Sequence, residues 1–273
     1  MKIKFLNIIV CVLLLSCGDN RSTQQTEESK ESVVIFDNKG HELVYNMVQK
    51  VGDYRSLLDK KDVIYTYTYK TADGKVDVAT EKYLFDGELS YGLYDQHERT
   101  IPQLEGAIEQ GYDGNEYWLK HDGKLITDQP LIDKVMFNRP TNLYWFAMMP
   151  KLLDPNVVYH YIGETVINEA TYDIVKVSFN IPNKENTDIY QVYINQDTGL
   201  VDQFLFTVAA YNVIDVPYLM ELKYESIDGL LIPTQRKYQK SNWDGVILNG
   251  PFTEVTWTDI SFNNGLTIKD FKK

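Results

Sequence analysis

The pair Asp-Gly recurs at Asp73-Gly74, Asp86-Gly87, Asp113-Gly114, Asp122-Gly123, Asp228-Gly229 and Asp244-Gly245. Both residues tolerate positive φ, so the pair favours tight hairpin turns whose twist matches the flanking strands. Several of these pairs separate runs in which apolar and polar residues alternate, the period of a strand with one buried face. In Val63-Ile64-Tyr65-Thr66-Tyr67-Thr68-Tyr69 the residues Val63, Tyr65, Tyr67 and Tyr69 share a face. Phe204, Phe206 and Val208 share another, and Tyr218, Met220, Leu222 and Tyr224 alternate with Leu219, Glu221, Lys223 and Glu225. Such runs add up to about 11–13 strands, more than a flat sheet carries well, so the sheet has to curl or close. The expected fold is mainly β, a single strongly curved antiparallel sheet.

Two segments break the alternation. Leu43, Val44, Met47, Val48 and Val51 fall at helical spacing and stop at Gly52, a suitable C-terminal cap. Thr141-Asn142-Leu143-Tyr144-Trp145-Phe146-Ala147-Met148-Met149, closed by Pro150, is apolar on every side. A helix of that kind has no wet face, so sheet must cover one side and ligand, lipid or another segment the other. Leu131–Phe137 is expected as a further turn of helix beside it. Two or three helices then cover the concave side of the sheet.

An N-terminal helix, an aromatic first strand, a long meander and a mid-chain apolar helical insertion resemble the LolA/LolB-type lipoprotein carriers. Tyr190–Val201, with its Asp197-Thr198-Gly199-Leu200 turn, is similar to a hairpin of that family. So are Tyr224–Pro233 and the pairing of Gly163-Glu164 with Tyr172–Val177. The resemblance covers most of residues 41–262 and implies a half-barrel whose open, greasy mouth is covered by helices. It implies no catalytic residue. The arginine that latches the lid of the soluble carrier has no counterpart in a recognisable motif here, although Arg139 stands near the insertion. The chain also resembles uncharacterised lipoproteins of the Bacteroidota.

Residues 1–16 read as a signal peptide: Lys2 and Lys4 precede the apolar run Phe5–Leu15, too short to span a bilayer. Leu14-Leu15-Ser16-Cys17-Gly18 resembles the lipobox of bacterial lipoproteins, which makes Cys17 the lipidated first residue of the mature chain. Residues 17–36 then form the lipidated cysteine and a polar, flexible tether, and 37–273 one domain. The expected location is the cell envelope, on the outer membrane, held by the lipid anchor. Cys11 leaves with the signal and Cys17 carries lipid, so the folded part has no thiol for disulfide, zinc or nucleophile.

The formal charge of −12 argues against nucleic acid as a partner. No cofactor or metal is expected. His41-Glu42 begins like a zinc-protease motif, but Tyr45 stands where the second histidine is required. His97, His121 and His160 are single, and His97 and His121 are expected in solvated loops. No nucleophile elbow, phosphate loop or dinucleotide glycine fingerprint is present. The 39 acidic residues guarantee chance carboxylate pairs, so no acid–base dyad is singled out.

The protein is therefore expected not to be an enzyme but to bind an apolar or amphipathic molecule, a lipid or a lipoprotein acyl chain, in a half-barrel cavity. Leu143, Tyr144, Trp145, Phe146, Met148 and Met149 form the candidate lid. Val63, Tyr65, Tyr67, Phe204, Phe206, Met220 and Leu222 are the candidate cavity wall. The alternatives are a module that docks to an outer-membrane protein assembly through a strand edge or tyrosine-rich face, and an enzyme acting on lipid or glycan.

Overall fold

A computed structural model describes residues 34–183 and 186–273; the signal peptide, Cys17 and most of the tether lie outside them. Strands β1 (Asp62–Lys70), β2 (Val76–Leu84), β3 (Leu89–His97), β4 (Ile108–Tyr112), β5 (Tyr117–His121) and β6 (Lys124–Ile126) form one meander. A second comprises β7 (Val157–Ile167), β8 (Ala170–Phe179), β9 (Tyr190–Asn195), β10 (Val201–Val208), β11 (Val213–Ile227), β12 (Leu230–Lys240) and β13 (Thr253–Phe262). The two join where β13 pairs antiparallel with β1, Tyr67 opposite Trp257. The result is one 13-stranded curved antiparallel sheet, and it is unclosed because β6 and β7 form its two ends.

The Asp-Gly pairs act as expected at the hairpins. Asp228 and Gly229 take φ of 49° and 84° between β11 and β12, and Asp122 and Gly123 take 47° and 71° between β5 and β6. Asp73-Gly74, Asp86-Gly87 and Asp113-Gly114 also lie between consecutive strands. Asp244-Gly245 differs: it sits in the longer connection from β12 to β13, where Ser241 bridges to Ile247.

Helix α1 (Lys39–Val51) is capped by the Asn38 side chain, which accepts from the His41 N–H at 3.1 Å, and it ends at Gly52 with φ of 99°. Its buried face is Val44, Met47, Val48 and Val51. Helix α2 (Tyr54–Asp59) follows directly, capped by Asp53. The two helical segments expected near residues 131–149 are one helix, α3 (Gln129–Lys151), with Pro140 and Pro150 inside it. A proline ring removes a backbone donor and bends a helix without ending it when packing holds both halves. The helix is bent, and it carries the chain from one end of the sheet to the other.

Packing explains why α3 has no wet face. Leu143, Phe146 and Ala147 enter a core with Tyr65, Tyr83, Phe85 and Trp257 from the β1–β5 arm and the seam. Met148 and Met149 enter a second core with α1 and with Val175, Val192, Phe204 and Met220 of the other arm. Tyr172, Ile174, Tyr193, Leu205 and Leu219 form a third cluster on the opposite face of that arm, packed against Trp243. Both faces of β9 are thereby buried along its whole length. Residues Phe36–Lys273 form one compact unit.

Candidate functional site

Residues directly opposite one another on antiparallel strands share a face. Phe206 stands opposite Tyr218, Met220 opposite Tyr238, and Leu222 opposite Arg236. Arg236 in turn stands opposite Val255, and Val255 opposite Tyr69. These inward columns, with Tyr65, Tyr67 and Trp257, floor a cavity of about 840 Å³. Its roof is the Phe137–Trp145 part of α3. That volume falls within the range of about 300–1,000 Å³ typical of small-molecule sites.

The walls are mainly aromatic. Trp145 presents its ring edge-on to Phe206 at 5.4 Å between centroids, and Tyr238 packs edge-on against Phe206 at 5.5 Å and Tyr218 at 5.6 Å. Tyr69 and Tyr238 are hydrogen-bonded through their hydroxyls. Burial pushes the Tyr65, Tyr67, Tyr190 and Tyr238 hydroxyls above the ordinary tyrosine range, so these side chains stay neutral. Such a wall offers flat apolar area with occasional polar tips.

The charged groups of the lining are of two kinds. Lys151 is held by Glu88 at 2.5 Å and Asp154 at 3.3 Å, and Arg99 by Asp77 at 3.4 Å. Asp188 accepts from the Ala209 N–H at 2.6 Å. Arg236 is different. It is only 5% exposed, donates from Nε to the Pro233 carbonyl at 3.2 Å and from Nη2 to the Trp145 carbonyl at 2.8 Å, and lies 3.9 Å from the Trp257 ring centre. Among the described residues no carboxylate pairs with it. Burial pulls its pKa down to about 10, still charged at neutral pH.

A second buried arginine belongs to α3 itself. Arg139 makes a two-pronged contact with Glu81, Nη1 to Oε2 at 2.8 Å and Nη2 to Oε1 at 2.9 Å, with both side chains fully buried. Tyr83 donates to Glu81 at 2.8 Å, and Asn142 and Tyr94 lie within hydrogen-bond reach of the same carboxylate. Gly92 makes room for the pair: a Cβ there would meet Arg139 Nη1 at 2.7 Å and Glu81 Oε1 at 2.9 Å.

Of the candidate lid, Tyr144 and Trp145 line the cavity, whereas Leu143, Phe146, Met148 and Met149 belong to the two cores flanking α3. Of the candidate wall, Tyr65, Tyr67, Phe206 and Met220 line it, and Val63, Phe204 and Leu222 are core. Arg236 and Glu81 were not singled out by the sequence, and Arg139 stood out there only as lying near the insertion, outside any motif. A signal for two of them exists: Glu81 falls in the buried alternation Asp77, Ala79, Glu81, Tyr83 of β2, and Arg236 continues Leu230 and Ile232 of β12. The expectation of a solvated His97 is corrected. It is buried, with its ring nitrogens on the Ile101 and Gly106 carbonyls at 3.1 and 2.7 Å, and staples the β3–β4 loop. Among the described residues no three histidine, cysteine or carboxylate groups gather as a metal site. No helix among them is long and apolar enough to cross a membrane.

No protein-family model matches the sequence, and no curated protein matches it. Among solved structures, it is similar to a DUF1329 family protein from Desulfovibrio piger at 18% identity and a TM-score of 0.49, over 85% of this chain and 95% of that one. A putative outer membrane lipoprotein-sorting protein domain from Vibrio parahaemolyticus gives 14% and 0.49, over 86% and 96%. A LolA superfamily protein from Nitrosomonas europaea gives 12% and 0.46, over 81% and 98%.

Proposed function

We propose that this protein binds, without chemical conversion, the apolar chain of a lipid or amphiphile in the cavity beneath α3. The observation that carries the proposal is the cavity itself: about 840 Å³, walled by aromatic rings from seven strands and roofed by Tyr144 and Trp145. Apolar pockets of this size bury most of their ligand's surface, and binding follows from the area removed from water. Among the described residues that line it there is no serine, cysteine or histidine, and the carboxylates of Glu88 and Asp188 are engaged with Lys151 and a backbone N–H. The lining thus supports a binder and offers no nucleophile–base pair.

In this proposal residues 1–16 are a signal peptide and Cys17 carries lipid, placing the domain at the envelope, on the outer membrane. A mature chain so anchored would receive or hold its ligand at the membrane surface. Native mass spectrometry of protein extracted from its own envelope tests the reading. Retained mass that fragments as acyl lipid supports it, and apo protein that takes up no fluorescent fatty acid overturns it. Replacing Cys17 by Ala should leave unprocessed or soluble material; unchanged processing and fractionation would refute the anchor.

A second function, docking of a partner protein, is favoured by one feature. The end strand β7 runs for 11 residues with Val158, Ile162 and Val166 exposed, an edge able to accept an added strand. A stable protein partner in the same spectrum, without lipid, would put this role ahead.

A further inference from the structure

A cavity meant for hydrocarbon alone has no use for a buried cation. Arg236 occupies an inward position on β12 between Leu222 and Val255, where an apolar residue would pack without cost. Its charge has no carboxylate partner among the described residues, and its coulombic neighbours are the hydroxyls of Tyr224, Tyr65 and Tyr67. Carbonyl oxygens take Nε and Nη2. Among the described residues Nη1 makes no hydrogen bond, and it is not sealed from the cavity. The Nε1–H of Trp257, on the ring stacked against the guanidinium, also has no acceptor among them, but it is sealed from the cavity. Unmatched buried donors are rare in native proteins, and each asks for an explanation. Of the two, Nη1 alone opens to the cavity, and an open cation edge there with no carboxylate beside it amounts to a missing acceptor of negative charge.

Resting on the lipid-binding reading above, we propose that the ligand of this cavity is an anionic amphiphile whose oxyanion head, carboxylate or phosphate, is held by Arg236. The guanidinium fork is suited to either oxyanion. The aromatic wall from Phe206 to Tyr238 takes the chain. The net charge of −12 makes the protein as a whole repel such a ligand, so selection for the head rests on the local cation and not on the long-range field. The stack of Arg236 on Trp257 holds the cation in the empty state and leaves its edge available.

The test compares cis-parinaric acid with its methyl ester, titrated by fluorescence at mildly alkaline pH, where the free carboxyl is ionised. The wild-type protein should bind the acid at least about tenfold tighter than the ester, as expected for a charge-assisted hydrogen bond in a buried site. The ratio should fall towards one in Arg236→Met and survive in part in Arg236→Lys. Arg236→Gln, which removes the charge but keeps an amide donor, should lower it as well and keeps the test sharp should Arg236→Met not fold. Competition by hexadecanoate and by hexadecyl phosphate separates the two head groups, and tighter displacement by either supports the proposal. Equal binding of acid and ester by the wild-type protein, or a ratio unchanged in both the Met and Gln variants, overturns the proposal and leaves the cavity as a binder of neutral chains. Binding of neither probe overturns this proposal and the lipid-binding reading together.

Discussion

Two buried arginines, Arg139 on α3 and Arg236 on β12 bonded to the Trp145 carbonyl of that helix, have opposite surroundings. On the β1–β5 side, Arg139 meets Glu81 in a two-pronged contact ringed by Tyr83, Tyr94 and Asn142. On the seam side, Arg236 leans on an indole face and two carbonyl oxygens and opens onto about 840 Å³ of space. Burial opposes both charges, and in the first the facing carboxylate outweighs it: the Arg139 pKa stands well above the ordinary arginine value, while that of Arg236 is pulled to about 10. The difference separates architecture from recognition. A buried ion whose partner belongs to the fold holds the fold; one whose partner is absent waits for something from outside.

The contrast can be broken most forcefully at Arg139. Arg139→Met leaves Glu81 charged, buried and without its partner, and should cost about 3–5 kcal/mol in denaturant melts. Adding Glu81→Leu should return much of that loss, since removing both members of a buried pair costs far less than removing one. A single variant as stable as the wild type would show that the pair does not hold α3 to the sheet.

A middle-sized effect divides adjacent residues of α3. Phe146 packs on Tyr65 at 5.0 Å and Trp257 at 5.2 Å and is fully core, so Phe146→Ala should cost about 3–5 kcal/mol. Trp145 faces the cavity and is only partly buried, so Trp145→Ala should cost about 1 kcal/mol and lower affinity for a fluorescent fatty acid by more than that. Equal stability losses, with binding unchanged in Trp145→Ala, would make the whole segment a plug.

The smallest effect is the sharpest. Arg236→Met gives up two bonds to carbonyls but also relieves an unpaired buried charge, so its melting free energy should stay within about 1 kcal/mol of wild type. A loss as large as that of Arg139→Met would make Arg236 a strap between β12 and the Trp145 carbonyl.

The sheet was far more legible than the site. Alternation in β1, β10 and β11 and the hairpin pairs at residues 122–123 and 228–229 are local signals, each written within a few residues, so their sum located the strands. Leu131–Phe137 and the apolar block from Thr141 look like separate helical segments in the sequence, because a proline such as Pro140 breaks a regular turn locally and only packing on both sides of the helix restores continuity. His97 stood in a polar stretch, yet its ring is buried by a loop that folds back onto it. The candidate lid was a block of apolar residues whose division between core and cavity depends on which way each side chain leaves α3. That direction is set by the two arms of the sheet, hundreds of atoms away in the chain. The charged members were hidden for a different cause. Glu81 and Arg236 keep the inward phase of their strands, but a charge in an apolar column becomes meaningful only when its partner, or the lack of one, is known.

The strand order bears on how the chain reaches this shape. Within β1–β6 and within β7–β13 every neighbour in the sheet is the neighbour in sequence, and only β1 with β13 joins residues as far apart as Val63 and Phe262. The conformational search therefore reduces to two series of local hairpins and one long closure, which carries nearly all the entropy of non-local pairing. Tyr67 opposite Trp257 lies on that closure, so the cavity floor is complete only after the slowest contact has formed.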